Sequence, residues 1–355
     1  MKQDWEIKKL SDVIEENNKS TIKSKGNSEG IYPFYISGKN IKFINRSLVD
    51  GSNIFLPTGG NFFVHFYNGK ACYSTDTWSL KTNSKADIKY FYYFLLLNEE
   101  LIGLKYFKGA TIKHLQKKDF KDIEIPLPPL LEQQYIVSIL DEAFAAIAKA
   151  KANAEQNLKN AKYLFKSYLQ EVFKEGPINT TIGEQVLLQR GFDITKEQQK
   201  NGNIPVVSSG GIKSYHEKAM VQAPGVVIGR KGTLGKVFFL ECDFWPHDTT
   251  LWIKDYKQNN PKFVYYFFTN FDVKPFDSGT ANPALNRNQV HPIPIRWYLP
   301  KQQQTIVHQL DTLQAKTQKL EAIYQKKIEN LEELRKSILQ KAFVGELKTE
   351  KDIKI

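Results

Sequence analysis

Between Glu132 and Phe173 the chain has neither glycine nor proline, and its apolar residues recur in steps of three and four: Ile136, Leu140, Ala143, Ile147, Ala150, Ala154, Leu158, Ala161, Phe165, Tyr168 and Val172. That spacing keeps a narrow stripe on one helix face, the seam of a coiled coil. Pro126, Pro128 and Pro129 lie upstream and Gly176-Pro177 downstream, predicting where the helix starts and stops. The pattern returns at Ile306, Leu310, Leu313, Leu320, Tyr324, Ile328, Leu331, Ile338 and Ala342, again without glycine or proline until Gly345. Elsewhere, short β-branched or aromatic runs alternate with Gly, Asn and Ser turns. They predict strands at Tyr32–Ile36, Ile54–Leu56, Phe62–Tyr67, Ile204–Val207, Val226–Ile228 and Lys236–Leu240. Helices are expected over Asp87–Leu101 and Pro261–Asn270, the second capped by Asn260. Their aromatic residues, Tyr92, Tyr93 and Phe94 against Tyr265, Tyr266 and Phe267, read as core.

These elements are one module written twice. An offset of 172 lays Leu10-Ser11-Asp12, Pro33, Ser37-Gly38, Gly60 and Asp76-Thr77 over Ile182-Gly183-Glu184, Pro205, Ser209-Gly210, Gly232 and Asp248-Thr249. An offset of 170 takes over at Gly109 and holds through Phe173, with 16 of the 41 positions from Gln133 identical. Two copies are too few for a solenoid, so the expected product is a single object with approximate two-fold symmetry. The fold class is α+β: two similar globular segments at 1–130 and 177–300, separated by long helices at 131–176 and 301–347, with a tail at 348–355. The first helix is Ala-rich along its seam and the second carries larger Leu, Ile and Tyr, so the two are expected to pack as an antiparallel pair. A helix of about 40 residues would be about 60 Å long, a spacer longer than one turn of duplex DNA, about 34 Å. The duplication also predicts that a half-chain ending near Gly176 dimerises through its helix and binds a symmetric site.

Composition narrows the partner. The chain has 50 Lys and Arg against 38 Asp and Glu, a formal charge of +12, which points to a polyanion. Cys72 and Cys242 build neither a disulfide framework nor a zinc cluster and read as core residues in a reducing cytoplasm. The six histidines show no metal-ligand spacing. The N-terminus lacks an apolar signal core, and the longest apolar run, Tyr90 to Leu97, is too short to cross a bilayer, so no membrane role is expected.

Candidate chemistry lies where strands turn. Gly229-Arg230-Lys231-Gly232-Thr233-Leu234-Gly235-Lys236 joins cations, a hydroxyl and close-approach glycines, suited to a phosphate backbone, but it does not match the nucleotide-binding phosphate loop. Its first-copy counterpart, Thr58-Gly59-Gly60-Asn61, has no cation, so the copies should not read the same sequence. A second candidate, Lys108-Gly109-Ala110-Thr111-Ile112-Lys113-His114, matches Ser278-Gly279-Thr280-Ala281-Asn282-Pro283-Ala284-Leu285-Asn286-Arg287. Arginine's planar fork fits guanine or phosphate. The DNA-contacting set is therefore Lys39, Arg46, Lys108, Thr111, Lys113, Arg190, Lys213, Arg230, Lys231, Thr233, Asn282, Asn286 and Arg287. No active site, cofactor site or metal site emerges: the methyltransferase motif of Asp or Asn before Pro-Pro-aromatic is absent, and Asp248 beside His247 reads as a turn cap. A coiled-coil adaptor and a stand-alone DNA-modifying enzyme are the competing classes.

The chain resembles the DNA-specificity subunits of type I restriction-modification systems. The resemblance rests on the two-copy layout, on Trp5 to Asp12 with its echo Ile182-Gly183-Glu184, and on Ile204 to Gly211 and Gly229 to Gly232. The helix start Pro126-Leu127-Pro128-Pro129-Leu130-Leu131-Glu132-Gln133-Gln134 and the run Ser337 to Leu347 complete it. The second helix start, Tyr298 to Gln304, departs from the proline-rich form. The resemblance implies two target-recognition domains that each read half of a bipartite double-stranded DNA site. It also implies helices that dock two methyltransferase subunits, restriction subunits that join that complex, and no catalysis by the chain itself.

Overall fold

The computed structural model describes residues 5–25, 29–174, 177–276 and 284–347. The chain divides into two compact units, Met1–Ala154 with Lys326–Ile355 and Glu155–Gln325, so each long helix contributes to both. Gly176, the tail 348–355 and most of the loop holding Asn282 lie outside the described residues.

In unit 1, β1 (Glu6–Lys9), β2 (Ile14–Glu16), β3 (Tyr32–Tyr35), β4 (Lys42–Ile44), β5 (Ser52–Pro57), β6 (His65–Asn68), β7 (Cys72–Tyr73) and β8 (Thr77–Thr82) precede α1 (Ile88–Leu97) and α2 (Glu99–Lys105). Then β9 (Phe107–Lys108), β10 (His114–Leu115), α3 (Lys117–Lys121) and β11 (Glu124–Leu127) lead into α4 (Leu130–Lys174). Unit 2 contains β12 (Thr180–Thr181), α5 (Ile182–Gln185), β13 (Leu187–Arg190), β14 (Ile204–Ser208), β15 (Gly211–His216), β16 (Gly225–Gly229), β17 (Val237–Leu240), β18 (Trp245–Pro246) and β19 (Thr250–Asp255). After them come α6 (Pro261–Asn270), α7 (Arg287–Val290), β20 (Pro294–Ile295) and α8 (Pro300–Val344), whose last turns belong to unit 1.

The two larger sheets are duplicated strand for strand. A four-stranded sheet runs β2-β8-β5-β6 in unit 1 and β13-β19-β16-β17 in unit 2, and a three-stranded sheet runs β4-β3-β7 and β15-β14-β18. The strand expected at Phe62–Tyr67 begins only at His65, because Phe62, Phe63 and Val64 are buried in the loop before it. The helix expected over Asp87–Leu101 breaks at Asn98, whose side chain donates to the Phe94 carbonyl and so closes α1. Asp87 caps α1 through the Lys89 and Tyr90 amides, as Asn260 caps α6 through Lys262 and Phe263.

Hydrogen bonds correct the sequence offset at β8. Ser74 N donates to Tyr35 O as His247 N does to Val207 O, and Thr58 N donates to Asp76 O as Arg230 N does to Thr249 O. Asp76 therefore lies over Thr249 and Ser74 over His247, one residue beyond the offset of 172. The extra residue lies in the hairpin turn, since Phe55 pairs with His65 whereas Val227 pairs with Phe238.

Each core is closed by both long helices. In unit 1, Leu10, Ile54, Leu80, Tyr90, Phe91 and Phe120 pack with Ile136 and Leu140 of α4 and with Leu339, Ala342 and Phe343 of α8. In unit 2, Leu188, Ile228, Phe263, Phe267 and Val290 pack with Leu169 and Phe173 of α4 and Leu310 of α8. The helices run antiparallel where they meet: in unit 1, Arg335 covers the Phe144 ring at 4.9 Å and Lys151 pairs with Glu332. In unit 2, Tyr168 donates to Gln309 at 3.1 Å. Two seam positions differ from expectation. Thr317, equivalent to Ile147, is buried with its hydroxyl bonded to the Gln314 carbonyl, whereas Leu320 is 38% exposed.

A buried glutamine joins each globular segment to its own helix. Gln133 accepts from Asp87 N at 2.8 Å and donates to the carbonyls of Lys85 and Pro128 at 3.0 and 2.8 Å. Gln303 accepts from Asn260 N at 2.9 Å and donates to Asn259 Oδ1 and the Tyr298 carbonyl at 2.7 and 2.8 Å. Beside them, Asp141 binds Tyr93 and Lys89, and Asp311 binds Tyr266 and Lys262.

Unit 2 is also expected to be acid-sensitive. His291 Nε2 accepts the Leu188 amide at 3.0 Å, so its ring must be neutral at that nitrogen. Burial pushes its pKa below the ordinary 6.5, and Arg287 and Lys257 push it the same way. Because the unfolded chain then binds more protons, this contribution to stability is lost as the pH falls below about 6.5. Thermal melts of the wild type should show that loss. His291→Gln, whose side-chain oxygen can accept the same amide at any pH, should show less of it; an unchanged pH dependence in the variant would contradict this origin.

Candidate nucleic-acid interface

The turn between β16 and β17 is held by its own backbone. Gly229 N donates to Lys236 O at 2.8 Å and Gly235 N to Gly229 O at 2.9 Å, while Gly232 and Gly235 adopt φ of 81° and 69°. A Cβ on Gly229 would sit 2.0 Å from the Thr233 carbonyl oxygen, so only glycine fits. Gly229→Ala should force this turn open, lowering the stability of unit 2 by about 1–3 kcal/mol, and should weaken DNA binding at least about tenfold under conditions where the variant is still folded. Unaltered binding would show that the turn's shape is irrelevant to the ligand.

The turn raises Lys231 and Thr233 into solvent and leaves Arg230 half-buried, its Nη1 directed at the Asp248 carbonyl at 3.5 Å. Lys236 lies over the Phe238 ring at 5.2 Å and donates to the Gly210 carbonyl at 3.0 Å. The segment before α7 docks against the same turn: Leu285 N donates to Arg230 O at 2.9 Å, and Lys231 bridges to Ala284.

Unit 1 builds the same junction. Leu115 N donates to Thr58 O at 3.0 Å, Gly60 N to Lys113 O at 2.8 Å, and Gly59 bridges to His114. In unit 1 the two loop candidates, separate in sequence, thus form one surface, and in unit 2 the described end of the second candidate, Ala284-Leu285, meets the first in the same way. The first-copy Gly-rich turn, which carries no cation of its own, receives Lys113 and His114 from the facing strand. The Gly-rich turn carries cations of its own, Arg230 and Lys231, only in unit 2.

Lys39, Arg46, Thr111, Lys113, Lys213 and Arg287 are exposed, as are Lys231 and Thr233. Lys39 and Arg46 flank β4, and Lys213 lies on β15, the equivalent strand. Lys108 is paired with Asp119 at 3.1 Å, and Arg190 is held by Asp193 at 2.9 Å and Asp248 at 3.3 Å, so both charges are partly offset inside the protein. Asn286 caps α7 by accepting the Asn288 amide, which leaves its NH2 group for a ligand. Asn282 lies outside the described residues. Sequence reasoning missed Lys117, which sits 4.5 Å over the Trp78 ring with its pKa lowered mainly by burial. It is recognisable only as the counterpart of Arg287, the first residue of the equivalent helical turn.

Two other expectations change. Cys72 is buried, but Cys242 is exposed in the turn after β17. Asp248 does not cap its turn; its carboxylate binds Arg190 and lies 2.9 Å from His247 Nδ1, a nitrogen that either donates to that carboxylate or accepts the Thr249 amide. Burial lowers the His247 pKa despite the Asp248 charge. Among the described residues no group of His, Cys, Asp and Glu is placed to hold a metal ion.

A duplicated α+β unit with a basic loop junction in each copy defines a protein with two related binding modules. The chain belongs to the type I restriction modification DNA specificity domain family, whose profile matches residues 2–159 and 182–330. It is 27% identical over 261 residues to the type I restriction enzyme MjaVIII specificity subunit of Methanocaldococcus jannaschii, a match covering 69% of this chain and 59% of that relative. The chain therefore spans about three fifths of the length of this curated relative. A solved structure concerning complex assembly and conformational transition of the type I R-M system is similar at TM-score 0.75 and 16% identity, over 97% of this chain and 99% of that one. The HsdS subunit of Thermoanaerobacter tengcongensis gives TM-score 0.63 at 15% identity, over 97% and 98%. At these identities both structures establish the fold alone.

Proposed function

We propose that the chain is the DNA-specificity subunit of a type I restriction-modification complex, each unit reading one half of a bipartite double-stranded target. The carrying observation is the loop junction, closed by equivalent backbone hydrogen bonds in both units yet bearing different side chains. A fixed frame with exchanged side chains suits two readers of unlike sequences. The long helices set the gap between half-sites and dock two methyltransferase subunits, which restriction subunits join. Methylation and cleavage belong to those partners, in the cytoplasm, and the chain needs no cofactor for its own part. Among the described residues no helix is long and apolar enough to cross a membrane.

The test is selection from a randomised duplex pool by the chain assembled with its methyltransferase partner. A bipartite consensus with two unlike halves is expected, and a pool recovered without sequence preference would overturn the reading. Binding should also weaken steeply with salt: about six neutralised phosphates give a log–log slope near −5. A slope near zero would remove the phosphate contacts, and methyl transfer or strand cleavage by the pure chain would make it an enzyme.

A further inference from the structure

A recess of about 260 Å³ lies beside the loop junction of unit 1, and Asn18, Thr58, Thr75 and Lys117 are among its lining residues. Backbone contacts identify the unit 2 counterpart of each. Thr58 O accepts from Leu115 N as Arg230 O does from Leu285 N, which equates Thr58 with Arg230. Ser74 N donates to Tyr35 O as His247 N does to Val207 O, so the next residues, Thr75 and Asp248, are equivalent. Lys117 and Arg287 each begin the turn, α3 or α7, that buries Phe120 or Val290. Asn17 N bonds Ser79 O, and Gln189 pairs with Trp252, the equivalent of Ser79, so Asn18 corresponds to Arg190. In unit 2, three of these four side chains have gathered: Asp248 binds Arg190 through its carboxylate and Arg230 through its carbonyl.

The surrounding frame is shared, whereas these four positions change from Asn, Thr, Thr and Lys to Arg, Arg, Asp and Arg. A carboxylate stands in each setting: Glu16 in unit 1, which accepts from Trp78 Nε1 at 2.8 Å, and Asp248 in unit 2. A group that only gripped phosphate would be weakened by such a charge, while base edges offer amines that a carboxylate accepts and acceptors that arginine fills. Cations outside the set, among them Lys113, Lys231 and Lys213, suffice for the backbone.

Resting on the function proposed above, we infer that Asn18, Thr58, Thr75 and Lys117, and their counterparts Arg190, Arg230, Asp248 and Arg287, are the base-reading positions of the two units. The arginine-bearing set reads guanine, and the set without arginine reads edges that its amide, hydroxyls, lysine and neighbouring carboxylate can pair.

The experiment transplants one set into the other unit. The full chain carrying Asn18→Arg, Thr58→Arg, Thr75→Asp and Lys117→Arg is assembled with its methyltransferase partner and used to select from the randomised pool, beside the wild type. One half-site is expected to change its preferred bases about tenfold or more at one position at least, with the other half-site unchanged. Unchanged preferences in both halves, or an equal loss for every sequence, would overturn the inference. A wild type without any bipartite consensus would instead sink the functional reading itself. Should the fourfold variant fail to fold, Lys117→Met and Arg287→Met decide singly: each should relax one base pair about tenfold, and uniform weakening by both would overturn the assignment.

Discussion

Gln133→Leu is expected to destabilise unit 1 by about 3–5 kcal/mol, because it leaves three backbone groups without their partner at about 1–3 kcal/mol for each that stays buried. The side chain is completely buried, and leucine nearly matches its volume, so cavity formation adds little. What is lost is a fork: Asp87 N–H, the first amide before α1, and the carbonyls of Lys85 and Pro128 all depend on one amide group. The effect should stay in unit 1, since Gln303 performs the same task for Asn260 and Tyr298 in unit 2. Hydrogen exchange resolved by segment would read this directly, with protection of α1 and β11 falling while that of α6 is kept. Retained protection of α1, or a change below about 1 kcal/mol in denaturant unfolding, would mean that water or neighbouring groups replace the fork.

The long helices were legible in the sequence because a seam in steps of three and four, bounded by proline and glycine, has no other regular solution. Gln133 was visible only as half of a repeated Gln-Gln pair; nothing in a polar residue at a helix start says that it is the one turned inward. The strand offset slipped for a similar reason. Asp76-Thr77 matches Asp248-Thr249 by identity, yet hydrogen bonds place Asp76 over Thr249, since the added residue sits in the Gly-rich turn. Local identity survives such a slip, whereas strand register does not.

The candidate interface was legible in composition and not in assembly. Both loop families were recognised, but the bonds joining them span more than fifty residues, as from Leu115 to Thr58. No local pattern reports that contact. Arginine content pointed to Arg190 and Arg230 without showing that Asp248 organises both, and a lysine on an amphipathic turn gave no hint that Lys117 would cover Trp78.

Phe343→Ala should cost unit 1 about 3–5 kcal/mol through the cavity it leaves, although residue 343 is far in sequence from the segment it stabilises. Its ring is 5% exposed and lies 4.8 Å from that of Tyr90 and 5.7 Å from that of Phe94. Phe173 is its counterpart and occupies the matching place in unit 2, 5.4 Å from Phe263 and 5.6 Å from Phe267. Each core therefore receives its last aromatic residue from the end of the helix that follows the other globular segment. Phe173→Ala should accordingly weaken unit 2 and spare unit 1, although α4 is the helix that follows the first globular segment. Segment-resolved hydrogen exchange on both variants separates the cases, and loss of protection in the globular segment that each helix follows, with the other kept, would refute the exchange. The same logic bears on a half-chain ending near Gly176. It lacks Phe343, but Phe173 of a second copy has the equivalent side chain for the same place, so the fragment should be stable as a dimer and should lose both folding and dimerisation on Phe173→Ala.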